Sequence, residues 1–490
     1  MTLSRFAWLI ASTLSILLLA LHSGAFAAES NVAAQVSTTP VSVMPRAETD
    51  PVRGSPDSAD DIAIWVHPSN PSLSTVIGTD KGNGLFVYDL SGHQLQYLAV
   101  GATNNVDVRY NFQLAGKQVD LVGASNTKTN ALAFYRVDPQ TRQLQDVTAR
   151  MIVPSISVYG FCMYHSLKTG TYYAFVTKHY AAAPTTRGEV QQWELTATSS
   201  GKVDAKLVRT LINVGDSAEG CVADDEQGNL YVLDGKGLWQ FGAEPSAGST
   251  TTHVVNVGGN VSNALEGVSL YYTSQGTGYI MMSDQGKSVY HLYQREGAHA
   301  YVGSFRIVAN NTIDGVSDTD GIDVTGVNLG PSFPAGMFVA QDNPNTVGTG
   351  NTTDRTNFKL VGWDAIAQSF SPSLTTDTTW NPRSSSVSVS TSTATSTATA
   401  TATATSTATA TNTATATATA TNTATATSTA TATSTATATA TVMETATATA
   451  LPTATIDELT STPVVMPDVS TTPTTAPENT DTTLWLPLIQ

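Results

Sequence analysis

The sequence has 490 residues, with 23 lysines and arginines against 39 aspartates and glutamates, and its formal net charge is −16 at pH 7. This acidic balance argues against nucleic acid as the natural partner, because nucleic-acid-binding domains carry an excess of basic residues. The two cysteines, Cys162 and Cys221, exclude a dense disulfide framework, and the sequence is compatible both with one bridge and with two buried free thiols.

The N-terminal segment has the pattern of a secretory signal. Arg5 precedes an apolar run at 6–21, and Ala25-Phe26-Ala27 supplies the small residues of a cleavage site. The apolar run is too short and wrongly flanked for a membrane span. We therefore predict a signal peptide at 1–27, a linker at 28–47, and a secreted or cell-surface location.

Short runs of alternating apolar and aromatic residues follow, separated by Gly, Asn and Asp, which indicates an all-β fold. One unit recurs six times: an apolar strand with a polar end, a turn, and a second strand with aromatic residues. The copies lie at 76–80 with 84–88, 121–126 with 131–135, 173–178 with 189–193, 230–234 with 237–241, 279–284 with 289–293, and 338–342 with 358–363. Their polar ends are 46 to 58 residues apart. This period predicts a six-bladed β-propeller, with two tandem sandwiches as the weaker alternative.

The geometry of a propeller brings equivalent strand ends to one rim of the central channel. We therefore expect the polar strand ends and the residues beside them to surround one site. They are Asp80, Lys81, Asn126, Lys178, Asp234, Asp284, Gln285 and Asp342.

Acidic residues are concentrated in a few loops. The segment 314–323 (DGVSDTDGID) has four carboxylates and two glycines, and further acids lie at Asp57, Asp60 and Asp61 and in Glu219-Gly220 and Glu266-Gly267. Carboxylates and turn carbonyls are the ligands that a hard cation such as calcium prefers. A solvated Asx-rich turn is the alternative for an isolated acidic loop.

Longer motifs make the chain similar to β-propeller phytases over about 48–368. They are 60–68 (DDIAIWVHP), 104–110 (NNVDVRY), 158–161 (VYGF), 164–166 (YHS), 219–226 (EGCVADDE), 314–323 and 338–342 (FVAQD). The resemblance implies a propeller at 48–372 that holds several calcium ions and removes phosphates from phytate, myo-inositol hexakisphosphate. It implies a small-molecule substrate, bound as a calcium complex, and we expect a monomer.

The resemblance also assigns roles by position. The ligands for the catalytic calcium ions are Tyr159, Glu219, Glu266 and Asp314, with Glu48 and Asp61 nearby. Lys81 is the phosphate-binding lysine. Lys128 would balance further phosphate charge, and Lys178 and Arg187 are both candidates for the phosphate-contacting cation of the longer loop at 178–187. The residues expected to serve structural calcium or loop shape are Asp320, Gln341, Asp342 and Asn343.

The departures from the family pattern include three that bear on calcium and phosphate binding. Ala264 stands where the family has an acid, Gly82 where it has a second lysine, and Thr127 where it has an arginine. We expect weaker binding of one calcium ion and an altered phosphate affinity or substrate range.

The C-terminal part has almost only Thr, Ala and Ser, then Pro and Thr. Such a composition buries too little apolar surface to fold, so we predict a disordered low-complexity stalk at 384–483 and a short apolar tag at 484–490. For the body, the favoured function is a phosphomonoesterase that uses metal-activated water. A non-catalytic calcium-binding propeller for glycan or protein adhesion, and a lactonase, are the alternatives.

Overall fold

The computed structural model describes residues 39–179, 188–214, 218–347, 351–352 and 355–384. The predicted signal peptide, the low-complexity segment from 385 onward, the terminal tag and Arg187 lie outside the described residues. What the sequence predicts for them stays a prediction.

Within the described residues the chain is almost entirely β. Two short strands come first: β1 (Val41–Val43) and β2 (Ala47–Glu48). Blade 1 consists of β3 (Ala59–Trp65), β4 (Thr75–Asp80), β5 (Gly84–Asp89) and β6 (Gln94–Leu98). Blade 2 consists of β7 (Thr103–Leu114), β8 (Lys117–Asn126), β9 (Ala131–Asp138) and β10 (Gln143–Asp146). Blade 3 consists of β11 (Val158–His165), β12 (Tyr172–Lys178), β13 (Gly188–Ala197) and β14 (Val203–Val214).

The second half repeats this arrangement. Blade 4 consists of β15 (Ala218–Asp224), β16 (Asn229–Asp234), β17 (Gly237–Gly242) and β18 (Thr251–Asn256). Blade 5 consists of β19 (Leu265–Tyr272), β20 (Gly278–Asp284), β21 (Val289–Gln294) and β22 (Tyr301–Ile307). Blade 6 contains β23 (Ile322–Thr325), β24 (Met337–Asp342) and β27 (Asn357–Gly362), with the hairpin β25 (Thr346–Val347) and β26 (Asn351–Thr352) between the last two. Helix α1 (Trp363–Ser369) follows, and three 3₁₀ turns lie at Pro71–Leu73, Pro245–Ala247 and Gln285–Lys287.

These six antiparallel sheets confirm the predicted propeller. The six recurring strand pairs of the sequence are the second and third strands of the six blades. Their apolar runs are buried on both faces because each blade is stacked between two others. β20 and β24 are buried along their whole length.

The N-terminal strands complete the last two blades. β2 pairs with β27 as the outer strand of blade 6, and β1 adds in parallel to β22 of blade 5. Blade 6 therefore contains strands from both ends of the folded body, which closes the ring. The predicted linker at 28–47 thus contains, in its described part, β1 and the first residue of β2.

Beyond the predicted end at 372 the described chain continues to 384. The Trp380 ring stacks on Tyr272 with centroids 4.5 Å apart, and its Nε1 donates to Glu226 at 2.9 Å. Arg383 forms an ion pair with Asp120. This segment covers the end of the channel where the innermost strands finish. None of the described helices is both long and apolar enough to cross a bilayer.

The two cysteines form a disulfide. Cys162 in β11 and Cys221 in β15 are bonded, which links the innermost strands of blades 3 and 4. This resolves the alternatives that the sequence leaves open.

Candidate active site

The site is built on bulges in the innermost strands. In five blades the register of the first strand shifts near its start, between Ala59 and Ile62, Thr103 and Val106, Val158 and Phe161, Ala218 and Cys221, and Leu265 and Val268. A bulge releases residues from regular pairing and redirects their side chains. The residues released at this rim are Asp60, Asp61, Asn104, Asn105, Tyr159, Gly160, Glu219, Gly220, Glu266 and Gly267.

Glycine in the second position of a bulge lets the next blade approach closely. A Cβ atom on Gly160 would lie 1.8 Å from the carbonyl oxygen of Glu219, and one on Gly220 would lie 2.3 Å from that of Glu266. No side chain fits in these gaps. The glycines after Tyr159 and Glu219 therefore set the short distances between the bulges of blades 3, 4 and 5.

Lys81 lies at the centre of the first group of charges. Its Nζ is 3.2 Å from Asp57, 3.4 Å from Asp60 and 3.2 Å from Asp320. Asp60 and Asp320 are buried, whereas Asp57 is exposed. Gln285 also reaches this group, since its Nε2 donates to Asp320 at 2.5 Å. This places Lys81 and Gln285 at one rim, as the sequence predicts.

Glu219 is held by two donors from other blades. The Tyr159 hydroxyl donates to its Oε2 at 2.5 Å, and the Asn104 amide donates to its Oε1 at 2.8 Å. Glu266 adjoins the same carboxylate. Glu219 is thus fixed at the centre of the rim, with its negative charge directed at its neighbours.

The rim acids resist ionisation. Burial, followed by the charge of Glu219, raises the pKa of Asp60 well above its ordinary value and that of Glu266 to about 10. Burial raises the pKa of Asp320 to about 6, although the charge of Lys81 lowers it. The group therefore carries a strong mutual repulsion that a further cation would relieve.

A second group surrounds the fully buried Lys359 in blade 6. Its Nζ forms ion pairs with Glu48 at 2.5 Å, with Asp342 at 3.1 Å and with Asp314, and it donates to Asn345 at 2.8 Å. Asp314 also accepts from the Thr346 backbone N–H at 2.6 Å. Three of the predicted metal ligands thus meet around a lysine.

The structure therefore does not bring all the predicted catalytic residues together. Tyr159, Glu219 and Glu266 share the rim with Asp320, whereas Asp314 contacts Lys359 in the second group. The Asp61 carboxylate lies beside Gly321 and accepts from the Val106 N–H at 3.0 Å, so it joins blade 1 to blade 2.

The prediction that the aspartates at the strand ends surround the site is wrong. Asp80 is fully buried and accepts the N–H groups of Gly82 and Asn83 at 2.9 and 3.1 Å. Asp234 and Asp284 are likewise used by local hydrogen bonds. An aspartate at a strand end readily accepts hydrogen bonds from the backbone N–H groups of the following turn, and its carboxylate then does not face the channel.

The remaining predicted residues lie near the rim in supporting positions. Gln341 accepts from the Asp320 N–H at 2.7 Å through its Oε1. The Asn343 amide donates to Asp57 at 3.5 Å, at the edge of the first group. Lys128 lies in the turn after β8, and Lys178 ends β12, so both lie at the same edge of their blades.

Two residues at the rim are not singled out by the sequence: Asn104 has no predicted role, and Asp60 is only one member of an acidic cluster. A pattern could have indicated where to look, because a polar residue followed by glycine starts the innermost strand of several blades. Asp320-Gly321 belongs to this series, since a Cβ on Gly321 would lie 2.7 Å from the Asp60 carbonyl oxygen. The series favours Asp320 over Asp314 as the rim residue of blade 6.

Comparison with known proteins agrees with this architecture. The family model described as Phytase matches residues 8–388. The chain belongs to the phytase family. A 3-phytase of Bacillus subtilis (strain 168) is 44% identical over 328 residues, which are 66% of this chain and 83% of that protein.

Similarity to solved structures is weaker. A Dos1 propeller aligns with a TM-score of 0.30 at 11% identity, over 61% of this chain and 66% of the other. BBS1N in complex with ARL6DN aligns with a TM-score of 0.33 at 10% identity, over 62% of this chain and 78% of the other. Neither bears on the fold or the function of this phytase-family chain.

Proposed function

We propose that this protein is a secreted, monomeric, calcium-dependent phosphomonoesterase that hydrolyses phytate to lower inositol phosphates and phosphate. The observation that carries the proposal is the rim itself. It gathers Asp60, Glu219, Glu266 and Asp320 beside Lys81, so oxygen ligands for a divalent cation adjoin a positive charge suited to a phosphate. Membership of the phytase family supports the substrate.

The chemistry of the rim fits calcium. All its acidic donors are hard oxygens, and the buried Asp60 Oδ2 has no hydrogen-bond partner, so it is available as a ligand. Among the described residues no three His, Cys, Asp or Glu side chains are already arranged around a metal-sized centre. Lys81 instead holds the acids around its own ammonium group. The residues that would hold calcium are Asp60, Glu219, Glu266 and Asp320, with Tyr159 beside them.

Calcium bound there would neutralise phosphoryl oxygens and lower the pKa of an attacking water. The protein groups supply orientation and charge. Tyr159 and Asn104 fix the two oxygens of Glu219, and Lys81 faces the position where a phosphoryl group would add negative charge. Lys128, Lys178 and Arg187 are the proposed contacts for the other phosphates of the substrate.

The second group has a separate role. Glu48, Asp314 and Asp342 surround Lys359 and support the loop between β24 and β27. Gln341 and Asn343 support the rim next to it. Glu48, Asp314 and Asp342 supply the carboxylate oxygens that a structural cation prefers, and Lys359 draws them together. We assign these residues to loop shape and structural calcium.

Phosphate release by the purified full chain tests this proposal. After dialysis against EGTA, turnover on phytate should fall at least a hundredfold, about 2.7 kcal/mol in activation free energy, and return when calcium is added. Magnesium at equal concentration is the control, because its smaller octahedral shell suits flexible carboxylate sites poorly. Full turnover after exhaustive EGTA treatment would refute calcium dependence. Calcium binding without phosphate release would favour the adhesion alternative.

Export is tested on the same preparation. N-terminal sequencing of protein recovered outside the cells should begin at Ala28. A mature chain that still begins at Met1, or one that is recovered only inside the cells, would contradict the proposed signal.

A further inference from the structure

Buried hydroxyl groups recur at one position in the propeller. They are the side chains of the penultimate residue in the second strand of blades 1, 2, 3 and 5, and all four are fully buried. They are Thr79, Ser125, Thr177 and Ser283.

Each hydroxyl joins two neighbouring blades. The Thr177 hydroxyl accepts from the N–H of Gly160, in the bulge of blade 3, at 2.8 Å, and donates to the carbonyl of Ala218 in blade 4 at 2.5 Å. Thr79 accepts from the Asp61 N–H at 2.9 Å and donates to the Asn104 carbonyl at 2.7 Å.

The other two hydroxyls repeat this relay. Ser125 accepts from the Asn105 N–H at 3.2 Å and donates to the Tyr159 carbonyl at 2.7 Å. Ser283 accepts from the Gly267 N–H at 2.7 Å and donates to the Asp320 carbonyl at 2.6 Å. Every relay therefore starts in the bulge of one blade and ends on a residue at or beside the site in the next.

The backbone groups served by these relays lie at the bulges or just before the innermost strand of blade 6. A bulge interrupts the regular strand pairing of its residues, and a buried N–H or C=O without a partner is costly. Each hydroxyl provides a hydrogen-bond partner for one backbone N–H and one backbone C=O. It thereby fixes the position of a bulge relative to the next blade, and with it the side chains that the bulges carry.

We propose that Thr79, Ser125, Thr177 and Ser283 are positioning residues for the phosphate-releasing site. They set the spacing of Asn104, Tyr159, Glu219 and Asp320 without touching substrate. This inference rests on the proposed function, and it extends that function from the rim side chains to the layer beneath them.

A matched pair of substitutions in one strand tests the idea. Thr79→Val removes a relay hydroxyl while keeping the shape of the side chain. Thr75→Val is the control: Thr75 is fully buried four residues earlier in β4, and its hydroxyl has no hydrogen-bond partner. Thr177→Val tests a second relay, and Thr177→Ser restores its hydroxyl.

Thr79→Val and Thr177→Val should each lower kcat about tenfold, in the range seen when groups that orient metal ligands are removed, and should raise the calcium concentration for half-maximal activity. KM should change less than kcat. Thr75→Val and Thr177→Ser should stay within about twofold of the parent protein. In hydrogen exchange, the Gly160 amide should exchange faster in Thr177→Val alone.

If Thr79→Val and Thr177→Val lower only the melting temperature and leave kcat and calcium dependence at the level of Thr75→Val, the relays are structural and the inference is overturned. Should the parent chain release no phosphate, the proposed function fails. Calcium titration by calorimetry and the exchange of the Gly160 amide then still decide whether the hydroxyls position the rim.

Discussion

Asp314 and Asp320 are six residues apart in one acidic loop, yet the structure gives them different tasks. Asp320 contacts Lys81 and Gln285 at the rim, whereas Asp314 contacts the buried Lys359. Replacing each by asparagine keeps the shape of the side chain and removes the charge. The pair of variants therefore separates catalysis from stability.

Asp320→Asn should abolish most of the activity at little cost in stability. Lys81 keeps its contacts with Asp57 and Asp60, and the pKa of Asp320, raised to about 6 by burial, shows that its charge is not well accommodated in the fold. If Asp320 is a calcium ligand, an amide in its place should lower kcat/KM at least a hundredfold, which is about 2.7 kcal/mol. The melting temperature should stay within about 2 °C of the parent.

Asp314→Asn should lower the stability of the fold and leave most of the activity. Lys359 retains Glu48 and Asp342, so the loss is one hydrogen bond to a charged group, about 1.5–3 kcal/mol. The entropy of unfolding is roughly 2.1 cal/mol/K per residue, so for the folded body this loss of free energy lowers the melting temperature by about 2–4 °C. Activity per folded molecule at saturating calcium should remain within about threefold.

Calorimetry and phosphate release over a series of calcium concentrations measure both effects on the same samples. Equal loss of kcat/KM in the two variants, with the folded fraction matched, would show that Asp314 belongs to the catalytic group and that the separation of the two groups is wrong. Full activity of Asp320→Asn would remove Asp320 from the site.

Two further predictions concern stability. Replacing both Cys162 and Cys221 by alanine removes a bridge that closes 59 residues of chain. This should lower the free energy of unfolding by about 4 kcal/mol and the melting temperature by about 6 °C. An unchanged melting temperature would contradict this. Burial, followed by the charge of Arg109, lowers the pKa of His165 to about 4. The folded protein therefore keeps the imidazole neutral where the unfolded chain binds a proton, so the stability that is present above about pH 6.5 is lost as the pH falls towards 4. His165→Phe, which keeps the stacking on Tyr172, should therefore lose about 1 kcal/mol less than the parent between pH 7 and 4.5, after allowance for partial exposure; equal losses by calorimetry would refute it.

The fold could be predicted from the sequence because stacked blades impose one strong pattern. The second and third strands of each blade are short, apolar and joined by polar turns, and these are the six copies that recur. The strands at the inner and outer edges of the blades are harder to recognise. β7 and β14 have 12 residues each, and β2 has only two. The partner of β2 lies more than 300 residues away, which no local pattern shows.

The site could be predicted only in part, for a related reason. Tyr159, Glu219 and Glu266 were found by resemblance, and the polar-residue–glycine pattern would have placed Asp320 with them. The roles of Asp80 and Asp61 depend on which backbone N–H groups lie within reach. That is decided by the bulges and by the stacking of blades, and the sequence does not show it directly.

The departures from the family pattern can now be placed in this architecture. Gly82 is exposed and Thr127 is half-buried, and both lie in turns between the second and third strands of their blades. The relays and the bulge glycines lie below them in the buried backbone. Changes in the turns should therefore leave the proposed calcium ligands in place and alter the proposed contacts with the outer phosphates of the substrate. Ala264 differs, because it directly precedes the strand that carries Glu266, so its effect should appear in calcium affinity.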